Sequence, residues 1–364
     1  MRVLINRSDA IGDSILTSPM AKIIKEKYPE AKITFLIADK SSALFKSHPF
    51  VDDFKIYHRD APFYNKIREV LRIFSEVKPN FYFYVGGGYL PNFIAWLRGV
   101  RFRGGLKSRW HTYFLLNKGV RQKRSMVTMH EMEYNLNLLV PMGINYSYKD
   151  KAHYNPEINL SQDEIELNYN LFKKLLIKEN IESDHKLIFI HPGMSGHTLN
   201  WSSRNYARLI LKMEHKFPGK FVYIISHTPS DHVFLQGLKE ILNRKESEFL
   251  KRRIFYFNGQ LDGLRHYMSV LSRASLFVGP STGTTHIAAV LGVPVVSIYS
   301  PIKIQSSLRW GPLSKSKDKI KILVPDVICG EVKKCALREC PYYECMGKIE
   351  VEDVLKQAIT VMDL

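Results

Sequence analysis

Residues 278–301 read VGPSTGTTHIAAVLGVPVVSIYSP, and this stretch sets the fold class. An apolar run closes at Gly279, a loop of Ser, Thr and Gly follows, a short helix begins near Thr284, and a second apolar run covers 293–299. Strand, helix and strand in that order indicate a parallel pair, the unit of doubly wound α/β sheets. The loop has the chemistry of a phosphate cradle. Its small residues let the backbone approach, its hydroxyls and N–H groups donate, and the helix N-terminus favours negative charge. Ser281, Thr282, Gly283, Thr284 and His286 are the candidate anion ligands, with His286 in the first helical turn. The plainer alternatives are turn residues for Ser281 and Thr282, and a hydrogen-bonded, partly buried histidine for His286.

The same rhythm runs outward in both directions. Apolar runs at 3–5, 33–38, 54–57 and 81–85 occupy the first half, and runs at 186–191, 221–226, 254–257, 276–279, 293–299 and 320–324 the second, with amphipathic stretches between them. HPGMSGHTLNWSSRNYARLI at 191–210 is another strand, Gly/Ser/Thr loop and helix. Two such loops in one domain suit the two phosphates of a nucleotide sugar, which adds Ser195 to the donor-side candidates; Trp201 reads as a packing residue at the loop's end. Between the halves, Ser161 and Glu164 form a Ser-x-x-Glu capping pattern for a helix running to about Lys178. The domain junction is placed just before it: residues 1–155 form one domain, 156–349 a second, and 350–364 a terminal helix that is expected to return to the first domain.

NRSDAIGDSILTSP at 6–19 follows the opening strand and carries Asp13 where an open α/β sheet binds its ligands. A helix expected over 14–27 offers Asp13 a second role as its N-cap. Gly12 stands alone, so the loop lacks the Gly-x-Gly-x-x-Gly pattern of dinucleotide binding. No Asp-x-Asp triplet occurs anywhere in the chain, so a sugar diphosphate has to be neutralised by backbone dipoles and cationic side chains, with no metal and no cofactor. The four cysteines, Cys329, Cys335, Cys340 and Cys345, fall within seventeen residues as C-x5-C-x4-C-x4-C. That spacing lacks the tighter hook usual in structural zinc sites and reads as clustered thiols.

Lys and Arg number 53 against 35 Asp and Glu, a formal charge of +18, which points to an anionic partner. Between Glu76 and Glu131 there is no acid, while Arg98, Arg101, Arg103, Lys107, Arg109 and Arg124 are among the cations in the gap. Aromatics interleave with them (Phe102, Trp110, Tyr113, Phe114). No nucleic-acid recognition signature is present, so nucleic acid is not expected as a partner. The apolar runs are too short for a membrane span, and the first residues lack a secretory-signal pattern, so a cytoplasmic protein is expected.

Four ordered blocks, AIGDSILTSP, HPG followed by Trp201 and YARLI, STGTTHIAAVLGVPVVSIYSP and ECPYYECMGKIEVEDVL, resemble the heptosyltransferases of lipopolysaccharide core biosynthesis, glycosyltransferase family 9. The resemblance implies a GT-B fold, with two Rossmann-like domains facing a central cleft. It implies an inverting, metal-independent transfer of heptose from ADP-heptose to an anionic glycolipid, the Kdo/heptose inner core on lipid A. It puts the catalytic base on Asp13 and diphosphate binding on Thr282, Gly283 and His286. The basic set Arg7, Arg98, Arg101, Arg103, Lys107 and Arg109 is then expected to bind the acceptor, and the protein to sit peripherally on the inner face of the inner membrane. Two positions depart from the family: Ser281 stands where Asp is common, and Leu199 and Asn200 precede Trp201 where Lys is common, leaving Arg7 or Arg204 as its replacement. The readings left open are a transferase for a different nucleotide sugar and a catalytically silent binding protein.

Overall fold

The opening run Val3–Leu4–Ile5 lies in the strand β1 (Arg2–Arg7), buried from Val3 onward on both faces, which only a sheet covered on both sides allows. The computed structural model describes residues 1–145, 153–194, 199–259, 261, 263–330, 332 and 334–364. The chain folds as two compact units, Met1–Asn159 and Leu160–Leu364, dividing a few residues past the junction expected at 155.

In the first unit β1 pairs in parallel with β2 (Lys32–Ile37) on one side and β4 (Phe81–Gly86) on the other. With β3 (Asp53–Ile56), β5 (Phe102–Leu106) and β6 (Lys118–Val120) the order is β3-β2-β1-β4-β5-β6. β5 and β6 are strands that the apolar pattern does not reveal. Both carry glycine and lie among cations, and Gly105, at φ +131°, packs so closely on β4 that a Cβ would overlap the Tyr84 backbone. The core beside the sheet holds Leu4, Leu36, Tyr82, Tyr84, Val70 and Phe74.

The second unit repeats the plan. β7 (Lys186–Ile190), β8 (Phe221–His227), β9 (Ile254–Asn258), β10 (Leu276–Pro280), β11 (Val295–Ile298) and β12 (Ile320–Leu323) lie in the order β12-β11-β10-β7-β8-β9, all parallel. Counted from its own first strand, this is the first unit's order again. Both sheets therefore reverse direction next to their first strand, between β1 and β4 and between β7 and β10. The crevice at the carboxyl ends of such a strand pair is where open α/β sheets take ligands.

Ser161 caps the helix Gln162–Lys178, its hydroxyl accepting from the Glu164 N–H at 3.1 Å. The Glu164 carboxylate grips Arg265. The closing helix Val351–Val361 falls in the second unit, where Val354, Leu355 and Ala358 join the core around Ile210, Val278 and Val296. Trp201 is buried in the same core and donates from Nε1 to the Ile349 carbonyl at 2.9 Å, the packing role expected of it.

Candidate functional site

The helix expected over 14–27 is two helices, Ile11–Ile15 and Pro19–Lys27, because Pro19 has no N–H to continue the first and opens the second. Asp13 is thereby the third residue of a five-residue helix whose N-cap is Ala10, so the capping role does not apply. Its side chain pairs instead with Arg7, the last residue of β1, through Oδ1. Oδ2 has no hydrogen bond among the described residues, and the side chain keeps 19% of its surface exposed.

Arg7 is almost fully buried and donates from Nη1 to the Val85 carbonyl at 2.9 Å. Its guanidinium also lies 3.5 Å from Asp9 and 3.9 Å from Glu131. Burial works against its charge, but Asp13, Glu131 and Asp9 outweigh burial and hold the pKa above the usual guanidinium value. Glu131, also buried, pairs with Arg124, which donates to Asn135 at 3.1 Å and to Gln122 at 2.8 Å. Asn135 returns to the Asp13 helix, donating to the Leu16 carbonyl and to Thr17 Oγ1, both at 3.1 Å, while the Thr17 hydroxyl donates to the Asp13 carbonyl at 2.8 Å. The network closes on the loop it supports. Asp9 pairs with Arg59 at 3.2 Å, and burial pushes its carboxyl up against the pull of Arg7. Three carboxylates, Asp9, Asp13 and Glu131, thus meet three guanidiniums, Arg7, Arg59 and Arg124.

Arg7, expected at the acceptor, is buried and paired with Asp13. The Arg103 guanidinium donates to the Leu115 and Val100 carbonyls at 2.8 and 2.6 Å, and burial lowers its pKa. Arg98, Arg101 and Arg109 are exposed and Lys107 half-buried. Beside Asp9, at the carboxyl ends of β1 to β3, lies a cavity of about 630 Å³ lined by Lys40, Tyr57, His58 and Arg59 among others.

Gly86, the last residue of β4, and Gly87 after it face this network, and neither is singled out from the sequence. A Cβ at Gly86 would overlap Asp9 and the Arg7 guanidinium, and Gly87, at φ +100°, has the Ser8 hydroxyl where a Cβ would go. The signal was present as three consecutive glycines directly after a strand. Gly86→Ala is expected to displace Arg7 and with it Asp13, lowering turnover by roughly 10- to 100-fold. Steady-state kinetics on variant protein with an unchanged melting temperature checks this.

In the second unit, the sequence's phosphate loop follows β10 at the corresponding reversal. Thr282 is the N-cap of the helix Gly283–Val290, and its hydroxyl lies 2.8 Å from that of Thr284. Thr285 is turned inward and donates to the Pro280 carbonyl at 2.5 Å. Thr282, Gly283 and Thr284 are partly exposed, with the unpaired N–H groups of a helix's first turn; His286 is buried behind them. Ser281 is buried as well, and the Tyr299 hydroxyl donates to the Trp310 carbonyl at 2.6 Å.

The loop after β7 begins with His191, whose Nδ1 lies 3.0 Å from the Ser226 carbonyl; burial lowers its pKa. Gly193 packs on the buried Asp231 carboxylate, which accepts from the Thr228 N–H at 2.7 Å. Ser195 lies outside the described residues. Asn200, at a position where the resemblance expects a lysine nearby, clamps the loop by donating to the Pro192 carbonyl at 2.7 Å. Neither proposed replacement for that lysine fits: Arg7 is committed to Asp13, and Arg204 is exposed and paired with Glu240 at 2.8 Å. All four cysteines are free thiols, and no metal-ligand cluster occurs among the described residues.

A family model described as glycosyltransferase family 9 (heptosyltransferase) matches residues 92–335. A Haemophilus influenzae protein that bears only a provisional name as a glycosyltransferase is 24% identical over 89% of this chain and 89% of its own. Campylobacter jejuni lipooligosaccharide heptosyltransferase 2 is 21% identical over 98% of this chain and 97% of its own. Among solved structures, the E. coli ADP-heptose lps heptosyltransferase II superposes with a TM-score of 0.78 at 19% identity, covering 100% of this chain and 98% of that one. The fold is GT-B.

Proposed function

The chain belongs to glycosyltransferase family 9, the heptosyltransferase family, and from that premise we propose that it transfers heptose from ADP-heptose to the inner core of lipopolysaccharide, at Kdo or heptose on lipid A. The transfer inverts the anomeric carbon and needs no metal. The observation that carries the reading is Asp13: a partly exposed carboxylate just past the carboxyl end of β1, held through Oδ1 by a buried arginine. The names of the relatives, which include heptosyltransferases acting in lipooligosaccharide and lipopolysaccharide synthesis, support the choice of sugar and acceptor.

In this reaction the acceptor hydroxyl oxygen attacks the anomeric carbon as its proton passes to Asp13 Oδ2. The bond from that carbon to the diphosphate breaks, and its electron pair leaves with ADP. The charge gained by ADP is met by the N–H groups and hydroxyls of Thr282, Gly283 and Thr284 at the helix N-terminus, with His286 supporting them from behind. The absence of an Asp-x-Asp triplet supports a metal-free mode. Arg98, Arg101, Lys107 and Arg109 attract the phosphates and carboxylates of the acceptor, and the cavity beside Asp9 takes its reacting sugar. The acceptor places the enzyme at the inner face of the inner membrane, held peripherally.

A second reading, transfer from a different nucleotide sugar, is favoured by Ser281, buried at a position where the family often has Asp, and by Asn200 occupying the loop that lacks the lysine. Thermal unfolding with nucleoside diphosphates separates the two. ADP at about 100 times its dissociation constant is expected to add roughly 2.7 kcal/mol of stability, with UDP and GDP adding none. A shift by UDP or GDP and none by ADP would assign the second reading.

A further inference from the structure

Two adjoining helices of the first unit, Leu90–Leu97 and Trp110–Leu115, expose large aromatic side chains that no part of the described protein covers. Asn92 Nδ2 lies 3.4 Å from His111 Nδ1, and the His111 ring contacts both Tyr89 and Trp110, so the helices form one surface. Trp110 and Phe114 are each 77% exposed, Trp96 is 48% and Phe93 42%, and the Phe93 and Trp96 rings lie tilted against each other with centroids 5.8 Å apart. A monomer rarely leaves so many adjoining apolar groups in water without a use for them.

The charge around them decides what covers this surface. Arg98, Arg101, Lys118, Arg121 and Lys123 are all exposed, and the Arg121 guanidinium sits 5.7 Å from the Tyr113 ring centre. The sequence has no acidic residue between Glu76 and Glu131. A second copy docking here would bring like-charged surfaces together and leave the arginines unanswered. Tryptophan and tyrosine with flanking lysine and arginine match the headgroup region of an anionic bilayer, where aromatic rings bury their apolar part and cations meet lipid phosphates.

We propose that the Leu90–Leu97 and Trp110–Leu115 helices form an interfacial anchor, with Phe93, Trp96, Trp110 and Phe114 entering the headgroup layer of an anionic membrane. The anchor rests on the proposed membrane-bound acceptor for its biological purpose, though not for its physical chemistry. It brings the first unit to the lipid surface by insertion of side chains in addition to charge attraction.

The test is co-sedimentation of the full chain with vesicles of phosphatidylethanolamine and phosphatidylglycerol, and with phosphatidylcholine alone as control. Wild type is expected to bind the anionic vesicles with a blue shift of tryptophan emission, since Trp96 and Trp110 are exposed while Trp201 is buried. The variant Phe93→Ser/Trp96→Ser/Trp110→Ser/Phe114→Ser is expected to bind them about 10-fold or more weakly. Its melting temperature, its stabilisation by ADP and its turnover on a deacylated, water-soluble acceptor should stay at wild-type values. Equal vesicle binding by variant and wild type overturns the anchor. So does a wild-type dimer in sedimentation velocity that the variant abolishes, which would make the surface an interface between copies. Vesicle binding that depends on the four aromatics in a protein without heptosyl transfer keeps the anchor and sinks the proposed reaction.

Discussion

Asp13→Asn lowers turnover by about 100-fold or more, while the rise in melting temperature on adding ADP stays that of wild type. Asparagine keeps the shape of the side chain and an oxygen that can accept from Arg7, so the loop retains its main contact. What it loses is the second carboxylate oxygen as a proton acceptor. The measurement is kcat with saturating donor and acceptor, set beside thermal unfolding with and without ADP. A variant that keeps turnover within a few-fold of wild type would remove Asp13 from the chemistry. A loss of turnover matched by loss of folding would reduce it to a structural partner of Arg7.

Arg7 is shared among Asp9, Asp13 and Glu131. In the proposed reaction its pairing with Asp13 Oδ1 holds the carboxylate in place before substrate arrives.

The parts of this site that the sequence discloses are those made by one continuous segment. The loop after β10 shows its strand, its small residues and its helix start within ten positions, and Asp13 follows an apolar run directly. Ser161 is legible for the same reason, since a cap and its helix are neighbours in the chain. Arg7 was visible as a cation but not as a buried one: nothing in RSDAIGD tells whether its charge faces water or the sheet. Glu131 and Arg124 were harder still. They lie more than a hundred residues from Asp13, and they resemble any surface acid and base until the helix at 131–136 packs against the opening loop. Strands β5 and β6 escaped because their glycines and cations weaken the alternation that marks a strand, although close backbone packing against β4 is what requires the glycine at 105.

Glu131→Ala destabilises the first unit by about 3 to 5 kcal/mol, the cost of leaving a buried guanidinium without its partner. Glu131 is 1% exposed and stands between Arg124 and Arg7, so its removal takes from Arg124 the carboxylate it pairs with and leaves it the neutral oxygens of Asn135 and Gln122. Urea unfolding followed by a probe in the first unit reads the loss directly. The double substitution Glu131→Leu/Arg124→Met is expected to recover most of it, because a buried ion pair exchanged for well-packed apolar groups of similar volume is often neutral in stability. The pair then separates two roles that a single variant confuses. If the double variant regains stability yet turns over roughly 10-fold slower than wild type, the ion pair acts through the placement of Arg7 and Asp13. If stability and turnover return together, the network serves folding alone, and the orientation of Asp13 must come from Arg7 and the Val85 carbonyl without help from the helix at 131–136.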